Sequence, residues 1–405
     1  MRMKEESRQK IRRIGFILLF IVAGAAAVLF TVKINRFSEE YLGYQADAFL
    51  HGRLDISKSL IHAHGGITED LVFRNNKYFE VHPPLPAIIL VPAVALFGPV
   101  GTQNAFQYIL ILIAALFAFL FFKRRGLRAE TSWWLLFALL FSSVFFGILI
   151  FSGYCYYVQV LGVALAFAAL YEFSGRDRPW LVGLLIAAIC LTRTTAGLVM
   201  ILFFGLETVF RPVPWRDRIK RLSFFAAPVA IAVLALAWFN LAKFGNPLDS
   251  GYKDALTWFQ PEAGLRAKFG LFNPVFIGRN LRYYFFEFPQ YHPDGHWTAS
   301  ARGISLFLLS PILLWLFCLR RRTRIVAAVL IASAVDLGIL LCLYSPGYFQ
   351  LGPRYVCDFL PLLFLLLTDV FQKKELNTAP KVAILLGAAA NFLIGLLWAQ
   401  TPPFS

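Results

Sequence analysis

The sequence is poor in charged residues, cysteine and methionine. Only 15% of its 405 residues are charged, against about 25% in an ordinary soluble domain. Five cysteines without a CxxC pair indicate neither a disulfide framework nor a cysteine-based metal site. The chain also contains no P-loop, GxSxG or HExxH motif, so it lacks the signatures of nucleotide-binding, serine-esterase and zinc-protease sites. These absences argue against a soluble enzyme and against a metal centre.

Apolar residues are abundant and occur in long runs. Hydrophobic residues make up 59% of the chain, and 42 residues are phenylalanine. A helix needs about 20 apolar residues to cross the hydrocarbon core of a bilayer. Runs of about this length predict an all-α, polytopic membrane protein with spans at 14–32, 103–122, 132–150, 155–173, 222–242, 303–319, 325–344, 355–371 and 382–398.

The net charge of +16 comes from short basic segments next to these spans. Six segments hold 24 of the 39 lysines and arginines: 1–13, 123–129, 174–178, 211–221, 320–324 and 373–381. Short basic loops of this kind mark the cytoplasmic side of a membrane protein. The charge therefore predicts the orientation of the chain in the membrane rather than binding to nucleic acid, and it predicts a cytoplasmic N-terminus.

Two apolar stretches do not fit a single span. The segment 85–98 is short and follows two prolines, which favours an interfacial or re-entrant segment. The stretch 180–210 has basic segments at both ends and Arg193 in its middle, so we predict a helical hairpin. The whole chain, 1–405, is then one integral membrane domain of about 11 spans, with two outer loops at about 33–84 and 243–302.

Candidate catalytic residues lie in the first outer loop. Glu39, Glu40 and Asp47 follow closely on the first span, so a carboxylate there could deprotonate an acceptor hydroxyl at the membrane surface. We expect Glu40 to be this base, with Asp47 as the second choice. The alternative is a solvated loop whose acids cap a helix.

Candidate binding residues come from four places in the chain. Arg193 is a rare guanidinium inside an apolar stretch, and Arg354 precedes a late span; both suit phosphate binding. Each has a structural alternative, an ion pair with a buried acid such as Asp336 for Arg193 and an interface anchor for Arg354. Three further residues could contact a sugar or phosphate, although turn roles explain them as well: His82, Tyr252 and Lys253.

With these pieces in order, the chain resembles the polytopic GT-C glycosyltransferases, the relatives of protein O-mannosyltransferases and aminoarabinose transferases. The resemblance rests on SEEYLGYQADAFLHGRLDI, on PPL before an apolar segment, and on LTRTTAG, FGNPLDSGY and GPRY. It implies a catalytic carboxylate in the first outer loop, where this chain has the pair Glu39 and Glu40. The chain departs from the pattern at His82, where the aminoarabinose transferases have lysine.

The resemblance implies an inverting glycosyltransferase in the cell's inner or plasma membrane, with its active site on the non-cytoplasmic face. The expected partners are a polyprenyl-phosphate-linked sugar donor, a hydroxyl acceptor on a glycan, lipid or protein, and membrane lipids. No cofactor, metal ion or nucleic acid is expected. Two alternatives remain open: a lipid or polyisoprenoid transporter without chemistry, and a non-catalytic assembly or sensing protein.

Overall fold

The computed structural model describes residues 15–29, 39–63, 66, 68–256, 262–320, 323–372 and 376–400. Within these ranges the protein is built almost entirely of helices, as the sequence predicts. In chain order they are α1 (Gly15–Leu29), α2 (Tyr41–Leu50), α3 (Lys58–Ala63), α4 (Leu85–Phe97), α5 (Thr102–Arg124), α6 (Ala129–Phe141), α7 (Phe145–Ile150), α8 (Tyr154–Phe173), α9 (Pro179–Cys190), α10 (Thr194–Val209), α11 (Trp215–Phe244), α12 (Ala263–Phe269), α13 (Ile277–Leu281), α14 (Leu306–Leu309), α15 (Arg324–Cys342), α16 (Leu360–Phe371) and α17 (Thr378–Gln400).

Short irregular helices and two small hairpins complete the described structure. The 3-10 helices are Tyr252–Asp254, Pro274–Phe276, Pro311–Cys318 and Arg354–Asp358, and a π-helix covers Arg282–Phe286. Strands β1 (Val72–Arg74) and β2 (Lys77–Phe79) pair antiparallel, as do β3 (Gln290–Tyr291) and β4 (Trp297–Thr298). Residues Asn75 and Asn76 join β1 to β2 with positive φ angles, which asparagine tolerates in a two-residue turn.

In the part of the chain that the structure describes, five helices are long and apolar enough to cross a membrane: α5, α8, α11, α15 and α17. Six further apolar helices are shorter, namely α1, α4, α6, α9, α10 and α16. Helix α8 lies at the centre of the bundle, because most of its side chains are buried on all sides. Phenylalanines from neighbouring helices pack against it, as where Phe122 of α5 and Phe364 of α16 contact Phe167 of α8. The protein is an integral membrane protein.

Three predicted spans are not continuous α-helices. The run 132–150 breaks at Ser142–Val144, where the Ser310 hydroxyl accepts a hydrogen bond from the Val144 amide at 3.0 Å. Residues 303–319 form the short α14 and then a 3-10 helix that begins at Pro311. The start of the run 355–371 is also a 3-10 helix. Hydropathy reports burial in an apolar environment, so it does not detect these local breaks.

Basic segments meet at one end of the bundle. Arg211 and Arg221 both pair with Asp177, so the start of α9 lies beside the end of α10 and the start of α11. Arg324 bonds to Glu207 at 3.0 Å. Further ion pairs join Arg125 to Asp369, Arg178 to Glu172 and Lys381 to Glu130. A cavity of about 520 Å³ opens at this end beside Arg125 and Arg324. The basic segment 1–13 lies outside the described residues.

The loops between the helices meet at the opposite end. The turn between α9 and α10 lies at residues 191–193, and the Leu191 carbonyl accepts a hydrogen bond from the Leu85 amide at 3.0 Å. The first long loop contacts the second through Asp70, whose amide donates to the Leu256 carbonyl at 2.7 Å. Candidate functional residues from distant parts of the sequence therefore converge here.

Candidate active site

The two neighbouring acids before α2 have different surroundings. The Glu40 side chain accepts hydrogen bonds from the Gly101 amide at the start of α5 and from the Asn104 side chain at 2.6 Å. Glu40 thus caps α5, where a carboxylate stabilises the exposed N–H groups of a helix. The Glu39 backbone carbonyl accepts from the Tyr154 amide at 3.0 Å, which fixes this residue against the start of α8.

Glu39 is partly buried and lies near two other acids, Glu69 and Asp70, and near one arginine. Burial raises the pKa of Glu39 to about 8; the negative charges of Asp70 and Glu69 add to the rise, and Arg354 opposes it. A carboxyl group with a pKa this close to neutrality is well matched to accepting a proton from a hydroxyl group. Its position and electrostatics make Glu39 the candidate base that the contacts favour.

Asp70 is held in place by the first loop and by α8. Its backbone has a φ of 60°, in the left-handed region that aspartate visits more readily than most residues. The Tyr154 hydroxyl donates to its carboxylate, and the Tyr154 ring packs on the Tyr41 ring with centroids 4.8 Å apart. Asp70 therefore brings a second, fixed carboxylate close to Glu39.

Arg354 lies near these acids and is partly buried. One terminal nitrogen donates to the Cys155 sulfur at 3.3 Å, and the guanidinium lies 5.1 Å from the Tyr156 ring centroid. Its Nε is buried and makes no hydrogen bond. An incompletely satisfied buried guanidinium is a ready partner for an anion, because phosphate oxygens would supply the missing acceptors.

Arg193 lies at the hairpin turn, but it already has an acidic partner. Its Nε donates to the Asp358 carboxylate at 2.5 Å, and the Thr195 hydroxyl donates to the other oxygen at 2.5 Å. From the sequence, one alternative for Arg193 is an ion pair with a buried acid such as Asp336. The structure shows an ion pair of Arg193, but its partner is Asp358. Asp336 itself is fully buried in α15, and neither carboxylate oxygen accepts a hydrogen bond in the described structure.

His82 and Tyr252 belong to the same cluster. The Tyr252 hydroxyl lies 3.3 Å from His82 Nε2, and the His82 ring packs edge-on against Tyr154 with centroids 5.3 Å apart. Lys253 points elsewhere, since its side chain is 62% exposed and pairs with Asp249 at 3.6 Å. Asp47 also lies apart from the cluster, 3.8 Å from Arg53.

Sequence reasoning missed four residues of the site: Glu69, Asp70, Glu80 and Asp358. Asp70 and Asp358 follow segments whose sequences are typical of a loop and a turn, so nothing local marks them as site residues. Glu80 stands two residues before His82, and this spacing is a local signal for a contact between the two side chains. Among the residues that the structure describes, no group of three or more acids, histidines or cysteines is arranged to hold a metal ion.

The raised pKa of Glu39 predicts a pH-dependent stability. Its pKa is about 8 in the folded protein against an ordinary 4.5. Between these values the folded protein binds more protons than the unfolded chain, so this group lowers the free energy of unfolding progressively as the pH rises. Glu39→Gln cannot ionise, and we expect it to lose less thermal stability than the wild type between about pH 5 and about pH 9. Equal losses in the two proteins would contradict the assignment.

Comparisons with known proteins identify the fold. No protein-family model matches the chain, and no curated protein matches it in sequence. The crystal structure of ArnT from Cupriavidus metallidurans bound to undecaprenyl phosphate matches with a TM-score of 0.56 and 11% identity, over 95% of this chain and 77% of ArnT. The same ArnT in the apo state matches with a TM-score of 0.53 and 12% identity, over 96% of this chain and 77% of ArnT.

A second solved enzyme gives the same result. The apo oligosaccharyltransferase of Archaeoglobus fulgidus matches with a TM-score of 0.51 and 14% identity, over 95% of this chain and 56% of the archaeal one. The chain thus spans about half the length of that enzyme. ArnT and the oligosaccharyltransferase are both GT-C glycosyltransferases. The predicted resemblance is confirmed at the level of the fold: this chain has the fold of the GT-C membrane glycosyltransferases.

Proposed function

We propose that the protein is an inverting glycosyltransferase that moves a sugar from a polyprenyl-phosphate donor to a hydroxyl group of a glycan, lipid or protein. One observation carries the proposal: in a fold shared with ArnT, the Glu39 carboxyl lies among other acids and near Arg354, and this setting raises its pKa to about 8. A base and an anion-binding group placed together are what transfer from a phosphate-linked sugar requires. The bound undecaprenyl phosphate of the ArnT structure supports a lipid-phosphate donor.

The residues of the site have two roles in the proposed reaction, as base and as phosphate-binding groups. Glu39 accepts the proton of the acceptor hydroxyl while the hydroxyl oxygen attacks the anomeric carbon from the face opposite the phosphate. The bond between the anomeric carbon and the phosphate oxygen breaks, and the electron pair leaves with the lipid phosphate. Arg354, with Arg193 and His82, stabilises the negative charge that develops on this leaving group. One displacement inverts the anomeric configuration.

The base is one of three predicted acids, and the contacts favour Glu39. Glu40 was our expectation from the sequence, but its carboxylate accepts hydrogen bonds that cap α5. Asp47 has partners at the protein surface, Arg53 among them. We therefore assign the base to Glu39 and a structural role to Glu40. Tyr252 stays in the proposed binding site beside His82, and we leave Lys253 out of it because its side chain pairs with Asp249.

We propose that the site faces the non-cytoplasmic side. The basic segments at the other end of the bundle support this orientation. Single cysteines introduced at Arg216 and at Tyr252, in a protein without its own cysteines, should react with a membrane-impermeant reagent from opposite sides. We expect Arg216→Cys to react only from the cytoplasmic side. Reaction of both variants from one side would refute the orientation.

The transporter is the alternative that a functional assay must separate. Purified protein in liposomes should transfer a labelled sugar from a polyprenyl-phosphate donor to acceptor and release polyprenyl phosphate. Movement of labelled donor between leaflets without transfer would support the transporter and contradict our proposal. Protein with Glu39→Gln in the same liposomes is the control, because it keeps the membrane fold but lacks the proposed base.

A further inference from the structure

Glu80 and His82 form a buried pair in the first long loop, just before α4. The Glu80 side chain is 1% exposed and the His82 side chain 6%. One Glu80 oxygen accepts from the His82 backbone amide at 2.6 Å, and the other contacts His82 Nδ1. The two prolines that follow stiffen the chain, so this acid and this imidazole hold one fixed geometry.

This contact determines which ring nitrogen of His82 carries a proton. Burial alone would raise the pKa of Glu80, but His82 and Lys243 hold it below its ordinary value. Glu80 is therefore an anion that can only accept hydrogen bonds, so Nδ1 must donate to it. The other nitrogen, Nε2, is left pointing towards the cluster, 3.3 Å from the Tyr252 hydroxyl.

The surroundings of the ring also tolerate a positive charge on it. A buried imidazolium is costly unless an anion lies beside it, and Glu80 supplies that anion. The charged and titratable groups that face the pair come from three other elements: Tyr154 of α8, Tyr252 of its 3-10 helix, and Lys243 of α11, which donates to the Glu80 carbonyl. Asp70 is linked to the pair through Tyr154, whose hydroxyl donates a hydrogen bond to the Asp70 carboxylate.

We propose that Glu80 is a positioning residue that orients the His82 ring, so that its Nε2–H donates to the phosphate of the lipid-linked donor. The inference rests on the proposed function and adds the residue on which the phosphate contact of His82 depends. A protonated His82 beside an ionised Glu80 has no net charge, so the pair offers a directed hydrogen bond rather than a free cation. Donor binding then depends on the orientation that Glu80 gives to the ring.

The test measures binding of polyprenyl phosphate without sugar to the full-length protein in detergent at neutral pH. Glu80→Gln should weaken binding roughly tenfold, because the charge-assisted contact that orients the ring is lost. Glu80→Asp, which keeps the anion, should restore part of the affinity.

Two comparisons separate positioning from a merely structural role. His82→Lys supplies a cation that needs no orienting acid, so adding Glu80→Gln to it should cost little further affinity. Asp55→Asn is the control, because Asp55 is an acid of the same loop that pairs with Lys77 at 3.1 Å outside the cluster. It should bind polyprenyl phosphate like the wild type.

Two outcomes would contradict the positioning role of Glu80, and a third would contradict the proposed function. If Glu80→Gln binds polyprenyl phosphate with wild-type affinity, the positioning role is refuted. If it weakens binding equally in the wild-type and His82→Lys backgrounds, Glu80 supports only the local structure and the inference also fails. If the wild type itself does not bind polyprenyl phosphate, the proposed function fails.

Discussion

Replacing Glu39 with glutamine should lower the turnover number by about 10²–10⁴-fold while donor binding changes little. Glutamine keeps the shape and hydrogen-bonding capacity of the side chain but cannot accept the proton of the acceptor hydroxyl. Glu39 accepts this proton only in the transition state, so its loss affects turnover more than binding. Turnover of purified Glu39→Gln in liposomes, measured at saturating donor and acceptor, checks the prediction.

The neighbouring acids provide matched controls. Glu40→Gln removes the anion that caps α5, so we expect a loss of about 1–2 kcal/mol in the free energy of unfolding. Its turnover should fall much less than that of Glu39→Gln. Asp47→Asn should behave like the wild type, because Asp47 lies outside the cluster. If Glu40→Gln lost turnover while Glu39→Gln kept it, the base would be Glu40, as the sequence alone suggested.

Replacing Arg354 with glutamine should lower kcat/KM about 10- to 100-fold. Arg354 is partly buried near Glu39, and its buried Nε lacks an acceptor in the described structure. A charge-assisted hydrogen bond to phosphate contributes about 1.5–3 kcal/mol, which corresponds to this range. The contact should form in the bound donor and strengthen as the phosphate leaves, so both KM and kcat are expected to change. Steady-state kinetics with varied donor concentration check this.

A control variant shows whether the expected loss of kcat/KM is specific to an arginine of the site or follows from removing any arginine of the loops. Arg74→Gln also removes a partly buried arginine from the outer loops, but Arg74 pairs with Asp249 at 3.3 Å and with Asp254, away from the cluster. We expect its kcat/KM to stay near that of the wild type. Full activity of Arg354→Gln would instead identify Arg354 as an interface anchor, the structural alternative that the sequence leaves open.

The fold was predictable to a large extent because bilayers impose simple rules. Span length and the position of basic segments identified the apolar helices, and the split of 180–210 into α9 and α10 follows from charge alone. The breaks at Ser142–Val144 and at Pro311 were not predictable in this way. They depend on contacts across the bundle, such as the Ser310 hydroxyl that bonds to the Val144 amide.

The site was predictable only as a set of candidates. Glu39 and Glu40 are neighbours directly before α2, and sequence cannot say which of them lies at the start of α8. The answer depends on Gly101, whose amide lies 61 residues away in the chain and binds Glu40. The partners Asp70 and Asp358 are short polar residues of loop and turn, so no periodic pattern distinguishes them from solvated residues.

The most direct test of our account is the mass of the glycans and glycolipids in the cell envelope of a deletion strain. We predict that the strain lacks one sugar residue on one glycan, lipid or protein. Wild-type protein should restore this mass, whereas Glu39→Gln, expressed at the same level in the membrane, should not. A deletion strain with unchanged glycans, or full restoration by Glu39→Gln, would contradict glycosyl transfer by this site.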